Sequence, residues 1–126
     1  MPLMQLNHVT VRTDDLEGTR DFYSDVLGLK AGPRPPLSFP GYWLYCGEIA
    51  VVHLVPRSGA IGAGGGDDTG NFDHVAFTAA DFEGMRRRFK QLAIPFREQE
   101  VPGIRLRQLF LQDPNKVMIE LNFVGA

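Results

Sequence analysis

Polar and apolar residues alternate over residues 5–12, with Leu6, His8, Thr10 and Arg12 on one side and Asn7, Val9 and Val11 on the other. A period of two marks a half-buried strand, here showing Val9 and Val11 to a helix and His8 to the opposite face. The period then changes: Leu16, Thr19, Phe22, Tyr23, Val26 and Leu27 recur at helical spacing, which gives one apolar stripe. Thr13-Asp14-Asp15 offers N-cap oxygens, with Glu17 three residues after Asp14 as in a capping box, and Gly28 suits the left-handed helix end. A short strand from Leu29 runs into a loop that holds Pro33, Pro35, Pro36 and Pro40. Tyr42–Cys46, the turn Gly47-Glu48 and Ile49–Val55 read as a hairpin, with Val51, His53 and Val55 sharing a face. Pro56–Gly70 keeps no apolar period and centres on Gly64-Gly65-Gly66, so it reads as a linker.

The second half repeats the plan. Phe72–Thr78 is predicted as a strand, with Phe72, His74, Ala76 and Thr78 on one face. Asp81 caps a helix that carries Phe82, Met85, Phe89 and Leu92, and its run Arg86-Arg87-Arg88 reads as a solvated face. A polar segment follows Ile94-Pro95-Phe96. Arg105–Gln112 and Val117–Phe123 are strands joined by the turn Asp113-Pro114-Asn115-Lys116, with Met118, Glu120 and Asn122 on one face. The match is explicit at an offset of 66: His8 falls on His74, Val9 on Val75, Asp15 on Asp81, Glu17 on Glu83, Gly18 on Gly84 and Arg20 on Arg86. Two copies imply a duplicated module, since a solenoid needs at least three. The expected class is α+β: two tandem βαβββ modules within one domain, at about 4–57 and 71–124, with the linker at 58–70. Glu120 takes the place in module two that His53 has in module one. If the two half-barrels stand side by side, His8, His53, His74 and Glu120 converge in a concave cup.

Composition narrows the function. A chain of 126 residues with 44% hydrophobic and 22% charged residues fits one domain. A net charge of −2 gives no electrostatic case for nucleic acid or an anionic membrane. The single cysteine, Cys46, excludes an intrachain disulfide and a thiolate cluster. No apolar run is long enough to span a bilayer, and the strand pattern starts at about Met4, so the expected location is cytoplasmic.

The candidate chemistry lies on the faces opposite the helices. His8 and His74 alone would read as structural histidines, but they occupy equivalent repeat positions. Glu120 lies in the apolar run Val117–Leu121, where an unpaired carboxylate is costly. Its alternative is a salt bridge to Arg105, Arg107 or Arg12. Phe39, Tyr42, Trp43 and Tyr45 are candidate walls for an apolar or aromatic substrate, with the proline-rich loop as a lid; core and dimer packing is the alternative. Arg12 and Arg107 complete the candidate substrate-binding set, Arg12 for an anion.

Leu6-Asn7-His8-Val9, Arg20-Asp21-Phe22-Tyr23 running to Leu27-Gly28-Leu29, Asp73-His74-Val75-Ala76-Phe77, and Asp113-Pro114-Asn115 ahead of Ile119-Glu120-Leu121 carry a resemblance. The chain resembles the vicinal oxygen chelate superfamily, which includes glyoxalase I, extradiol dioxygenases, fosfomycin-resistance enzymes, methylmalonyl-CoA epimerase and bleomycin-binding proteins. The resemblance spans essentially the whole chain and implies an open, split β-barrel with a metal-binding cup. It implies one divalent transition metal (Fe, Mn, Zn, Ni or Co) held by His8, His74 and Glu120, with His53 as general base, fourth ligand or cup lining. The glyoxalase branch usually has a carboxylate where this chain has His53. Extradiol enzymes usually carry a Tyr on the strand where this chain has Phe110. The implied function is a metal-dependent enzyme that chelates a small oxygenated substrate, with lyase-, isomerase- or transferase-type Lewis-acid chemistry. The alternatives are an Fe(II) extradiol-type dioxygenase and a homodimeric drug-sequestering protein without catalysis. A homodimer is implied in either case.

Overall fold

The computed structural model describes residues 5–57, 72 and 74–125. The chain divides into two compact units, Met1–Gly64 and Gly65–Ala126. The expected linker at 58–70 lies outside the described residues. Among the described residues, no helix is long and apolar enough to cross a membrane.

The first unit holds β1 (Val9–Thr13), α1 (Leu16–Asp25), β2 (Lys30–Gly32), β3 (Tyr42–Cys46) and β4 (Ile49–Pro56). Its sheet runs β1-β4-β3-β2, with β1 parallel to β4 and the other neighbours antiparallel. The second unit holds β5 (Val75–Thr78), α2 (Phe82–Gln91), β6 (Arg97–Val101), β7 (Leu106–Gln112) and β8 (Met118–Val124). Its sheet runs β5-β8-β7-β6 with the same sense of pairing. The polar segment after Phe96 is thus β6, and each unit is βαβββ. The duplication extends to register: Thr10 pairs with His53, and Ala76, the equivalent of Thr10, pairs with Glu120.

The repeated Asp and Gly residues are structural. The Asp15 carboxylate accepts from the Gly18 amide at 2.9 Å, and Asp81 from Gly84 at 3.1 Å, so each Asp is an N-cap. A Cβ on Gly18 or Gly84 would collide with the second carboxylate oxygen, Oδ2, of its capping Asp, which explains why the pair recurs. The expected capping box therefore does not form. Asp15 rather than Asp14 is the cap; Glu17 accepts from the Tyr42 hydroxyl at 2.9 Å, and Asp14 pairs with Arg57 at 3.3 Å. Gly28, at φ 79, turns the chain out of α1 as expected.

Each helix covers one face of its own sheet. Val11, Thr13, Tyr23, Leu44, Val52 and Leu54 form the first core; Phe82, Phe89, Leu109, Ile119, Leu121 and Phe123 form the second. Asp113 is buried because its carboxylate accepts from the amides of Asn115 at 2.7 Å and Val117 at 2.9 Å. The Asp113-Pro114-Asn115 motif is therefore a turn device, and it sets the register in which β8 presents Glu120.

Candidate functional site

Strand alternation leaves one face of each sheet uncovered by its helix. In the first unit the residues at these positions are Thr10, Arg12, Trp43, Tyr45, Val51 and His53, with His8 one residue ahead of β1. The shift of β1 from the predicted 5–12 to Val9–Thr13 keeps His8 beside them: its ring stacks on His53 with centroids 3.7 Å apart and planes 9° apart. Trp43 covers the other face of His53 at 4.1 Å and 13°. His53 Nε2 donates to the Ala50 carbonyl at 3.1 Å, which fixes the neutral tautomer and leaves Nδ1 as the lone-pair nitrogen. His8 Nδ1 donates to Asn7 Oδ1 at 2.7 Å, leaving Nε2 with its lone pair. Lone pairs lie in the ring planes, so these two stacked rings do not converge on one ion. That removes the fourth-ligand option for His53 alongside His8 in this arrangement.

The other first-unit candidates divide. Tyr45 lies over Gly32, whose hydrogen makes room for the ring, and its hydroxyl donates to the Pro33 carbonyl. Phe39 lies in the proline-rich loop, where the Arg34 guanidinium is 5.2 Å from its ring centre and donates to its carbonyl at 2.7 Å. Arg12 stands opposite Val55 in register. Tyr42 points the other way, to Glu17 and Arg20 of α1, because it is paired with Leu54 of the core face. It is not a wall of the exposed face.

Burial holds the His53 imidazole below its ordinary pKa of 6.5, with His8 and then Arg34 adding to the effect and the Ala50 hydrogen bond opposing it. In the unfolded chain His53 regains the ordinary value, so as pH falls the unfolded state takes up the proton first. The stability that comes from keeping His53 neutral is full above about pH 6.5 and is lost as pH falls through the lower folded-state value. Urea midpoints measured from about pH 8 to about pH 5 should fall for the wild type and fall less for His53→Gln. Equal falls would remove His53 as the cause.

In the second unit His74 precedes β5, as His8 precedes β1. Its Nε2 is 3.4 Å from Glu120 Oε1, and the two side chains are 39% and 15% exposed. The other oxygen, Oε2, accepts from Asn122 Nδ2 at 2.9 Å and Gln108 Nε2 at 3.3 Å. Of the expected arginine partners in this unit, Arg105 donates to the Gly125 carbonyl at 3.4 Å. Arg107 stands on the covered face, with its guanidinium 3.7 Å from the ring centre of Phe82 of α2. Its register partner is the buried Phe123, so β7 directs Arg107 away from Glu120. The assignment of Arg107 as a substrate-binding residue is corrected accordingly.

Gln108, Gln99, Phe110 and Arg97 share the Glu120 face, and of these only Phe110 was singled out from the sequence. Phe110 is paired with Glu120 on one side and Arg97 on the other, and Arg97 lies 4.2 Å from its ring centre. The available signal was a glutamine inside the apolar strand Leu106–Gln112.

Two donors bound to one tetrahedral ion at about 2.1 Å stand roughly 3.4 Å apart. The His74–Glu120 spacing of 3.4 Å fits that requirement. Among the described residues, no three His, Cys, Asp or Glu side chains gather into a group able to hold an ion.

The family model of the Glyoxalase/Bleomycin resistance protein/Dioxygenase superfamily matches residues 5–121. Over 130 residues the chain is 29% identical to Glyoxylase I 4 of Arabidopsis thaliana, a match covering 94% of this chain and 70% of the relative. Lactoylglutathione lyase from Agrobacterium tumefaciens shares the fold with a TM-score of 0.69 and 23% identity, over 98% of this chain and 96% of that one. TnmS3, an antibiotic binding protein from Streptomyces sp. CB03234, shares it with a TM-score of 0.74 and 17% identity, over 98% of both chains. At these identities the two solved structures carry the fold alone.

Proposed function

Because this chain belongs to the Glyoxalase/Bleomycin resistance protein/Dioxygenase superfamily, we propose that it is a metal-dependent enzyme acting on a small oxygenated molecule. The observation that carries the reading is the His74–Glu120 pair, a nitrogen and an oxygen donor 3.4 Å apart. His74 and Glu120 would take part in holding one divalent metal. Such an ion acts as a Lewis acid toward vicinal substrate oxygens and stabilises developing negative charge on them. Glu120 stays oriented because its second oxygen is held by Gln108 and Asn122. His53 is the proposed general base, since its neutral ring has Nδ1 ready to take a proton and Trp43 fixes its plane. The reaction class is of lyase, isomerase or transferase type, with extradiol-type dioxygenation by Fe(II) as the competing chemistry.

A second reading, a small-ligand sequestering protein, draws on one observation. The stacked rings of Trp43, His53 and His8 form an aromatic surface suited to flat ligands.

Elemental analysis of untagged protein, before and after chelation and reconstitution, tests the choice. The expected result is about one transition metal per chain. Manganese, nickel or zinc favours Lewis-acid chemistry, and iron favours dioxygenation. No metal, and none taken up on reconstitution, overturns the enzyme reading in favour of sequestration.

A further inference from the structure

Three side-chain amides form a chain across the face of the second sheet away from α2, and its polarity is fixed. Gln99 of β6, Gln108 of β7 and Asn122 of β8 occupy one register row. Gln99 Nε2 donates to Gln108 Oε1 at 3.2 Å. With its carbonyl so occupied, Gln108 must turn its amide nitrogen the other way. That nitrogen carries two hydrogens and donates to Asn122 Oδ1 at 2.9 Å and Glu120 Oε2 at 3.3 Å. Asn122, its oxygen now taken, turns Nδ2 to Glu120 Oε2 at 2.9 Å. Each amide orientation is dictated by the one before it, and the chain ends on one carboxylate oxygen. Gln108 is buried, 8% exposed, and no buried side-chain nitrogen or oxygen among the described residues lacks a partner.

We propose that Gln108 and Asn122 are positioning residues that make Glu120 a one-oxygen metal ligand. They hold Oε2 and leave Oε1 directed at His74 Nε2. The proposal rests on the metal-binding reading given above and deepens it. A carboxylate without such partners can swing about its last torsion or offer both oxygens to an ion. The amide chain removes that freedom, so the donor geometry exists before the ion arrives. Gln99 acts one step further out, by fixing which end of Gln108 faces Glu120.

The test is the Zn²⁺ affinity of the full chain, measured by competition with a chromogenic chelator, together with the thermal midpoint of the metal-free protein. Gln108→Leu, which keeps the bulk and removes both donors, should weaken Zn²⁺ binding by roughly 10–100-fold. Gln99→Leu changes an exposed side chain, so it leaves the fold intact whatever Gln108→Leu does. It should weaken binding in the same direction by less, with an unchanged midpoint. A Zn²⁺-loaded crystal structure should place Oε1 alone on the ion. Unaltered affinity in both variants, or both Glu120 oxygens on the ion in the wild type, overturns the positioning role while leaving the metal site standing. A wild-type chain that takes up no Zn²⁺ or other transition metal overturns the metal reading, and the positioning role falls with it.

Discussion

Glu120→Ala is expected to abolish stoichiometric metal binding and leave a folded protein. The side chain stands on the face of β8 away from α2, while its neighbours Ile119 and Leu121 point into the core at 0% and 2% exposure. Removing it therefore deletes no core contact. The amides of Gln108 and Asn122 lose their shared acceptor but keep each other. The metal reading predicts a much larger effect on binding. Loss of a supporting contact around a ligand typically costs about 10–100-fold in affinity, and loss of the ligand itself should exceed that range. Metal content after gel filtration, read beside the circular dichroism of the same sample, separates the two effects. Glu120→Gln keeps the shape and one oxygen while removing the charge, so it should retain partial affinity. A full complement of metal in Glu120→Ala would remove this side chain from the site.

The architecture was legible in the sequence because duplication states every element twice. The period changes at Thr13 and Asp81 mark both strand-to-helix junctions, and the equivalence of His53 and Glu120 survives as paired register with Thr10 and Ala76. Legibility ended at questions of pairing and parity. Successive residues of a strand face opposite sides, so an error of one position reverses a side chain. Arg107 and Gln108 are adjacent, and only the pairing of Gln108 with Asn122 assigns Gln108, not Arg107, to the face of Glu120. Tyr42 was misplaced beside Trp43 for the same reason. The capping residue shifted from Asp14 to Asp15 because three consecutive polar residues all offer an oxygen, and only backbone geometry selects one. The stack of His8, His53 and Trp43 joins residues from three different positions in the chain. No local pattern contains it.

Phe89→Ala should destabilise the second unit by about 3–5 kcal/mol, the range for deleting a buried aromatic ring. Phe89 is fully buried, and its ring meets Phe96 edge-on at 5.6 Å. The apolar stripe of α2 is narrow. Phe82 and Phe89 are its buried positions, while Arg87, Arg88 and Lys90 are exposed and Arg86 pairs with Glu98 at 3.3 Å. A helix of ten residues is marginal by itself and depends on tertiary packing of that stripe. Loss of one of two buried rings therefore removes a large share of what seats it. Small domains have a total stability of about 5–15 kcal/mol, so a large unfolded fraction is expected on mild heating. Arg87→Ala, on the exposed side of the same helix, should change stability by less than about 0.5 kcal/mol. The comparison also bears on the site. α2 packs on the face of β7 and β8 opposite Gln108, Asn122 and Glu120, so loosening the helix should loosen the carboxylate and weaken metal binding in parallel. Denaturant unfolding of the two variants, with metal affinity measured on each, provides the check. A loss below about 1 kcal/mol for Phe89→Ala would mean the helix is not seated through that ring. Stability lost without affinity would mean the site keeps its geometry from the strand register alone.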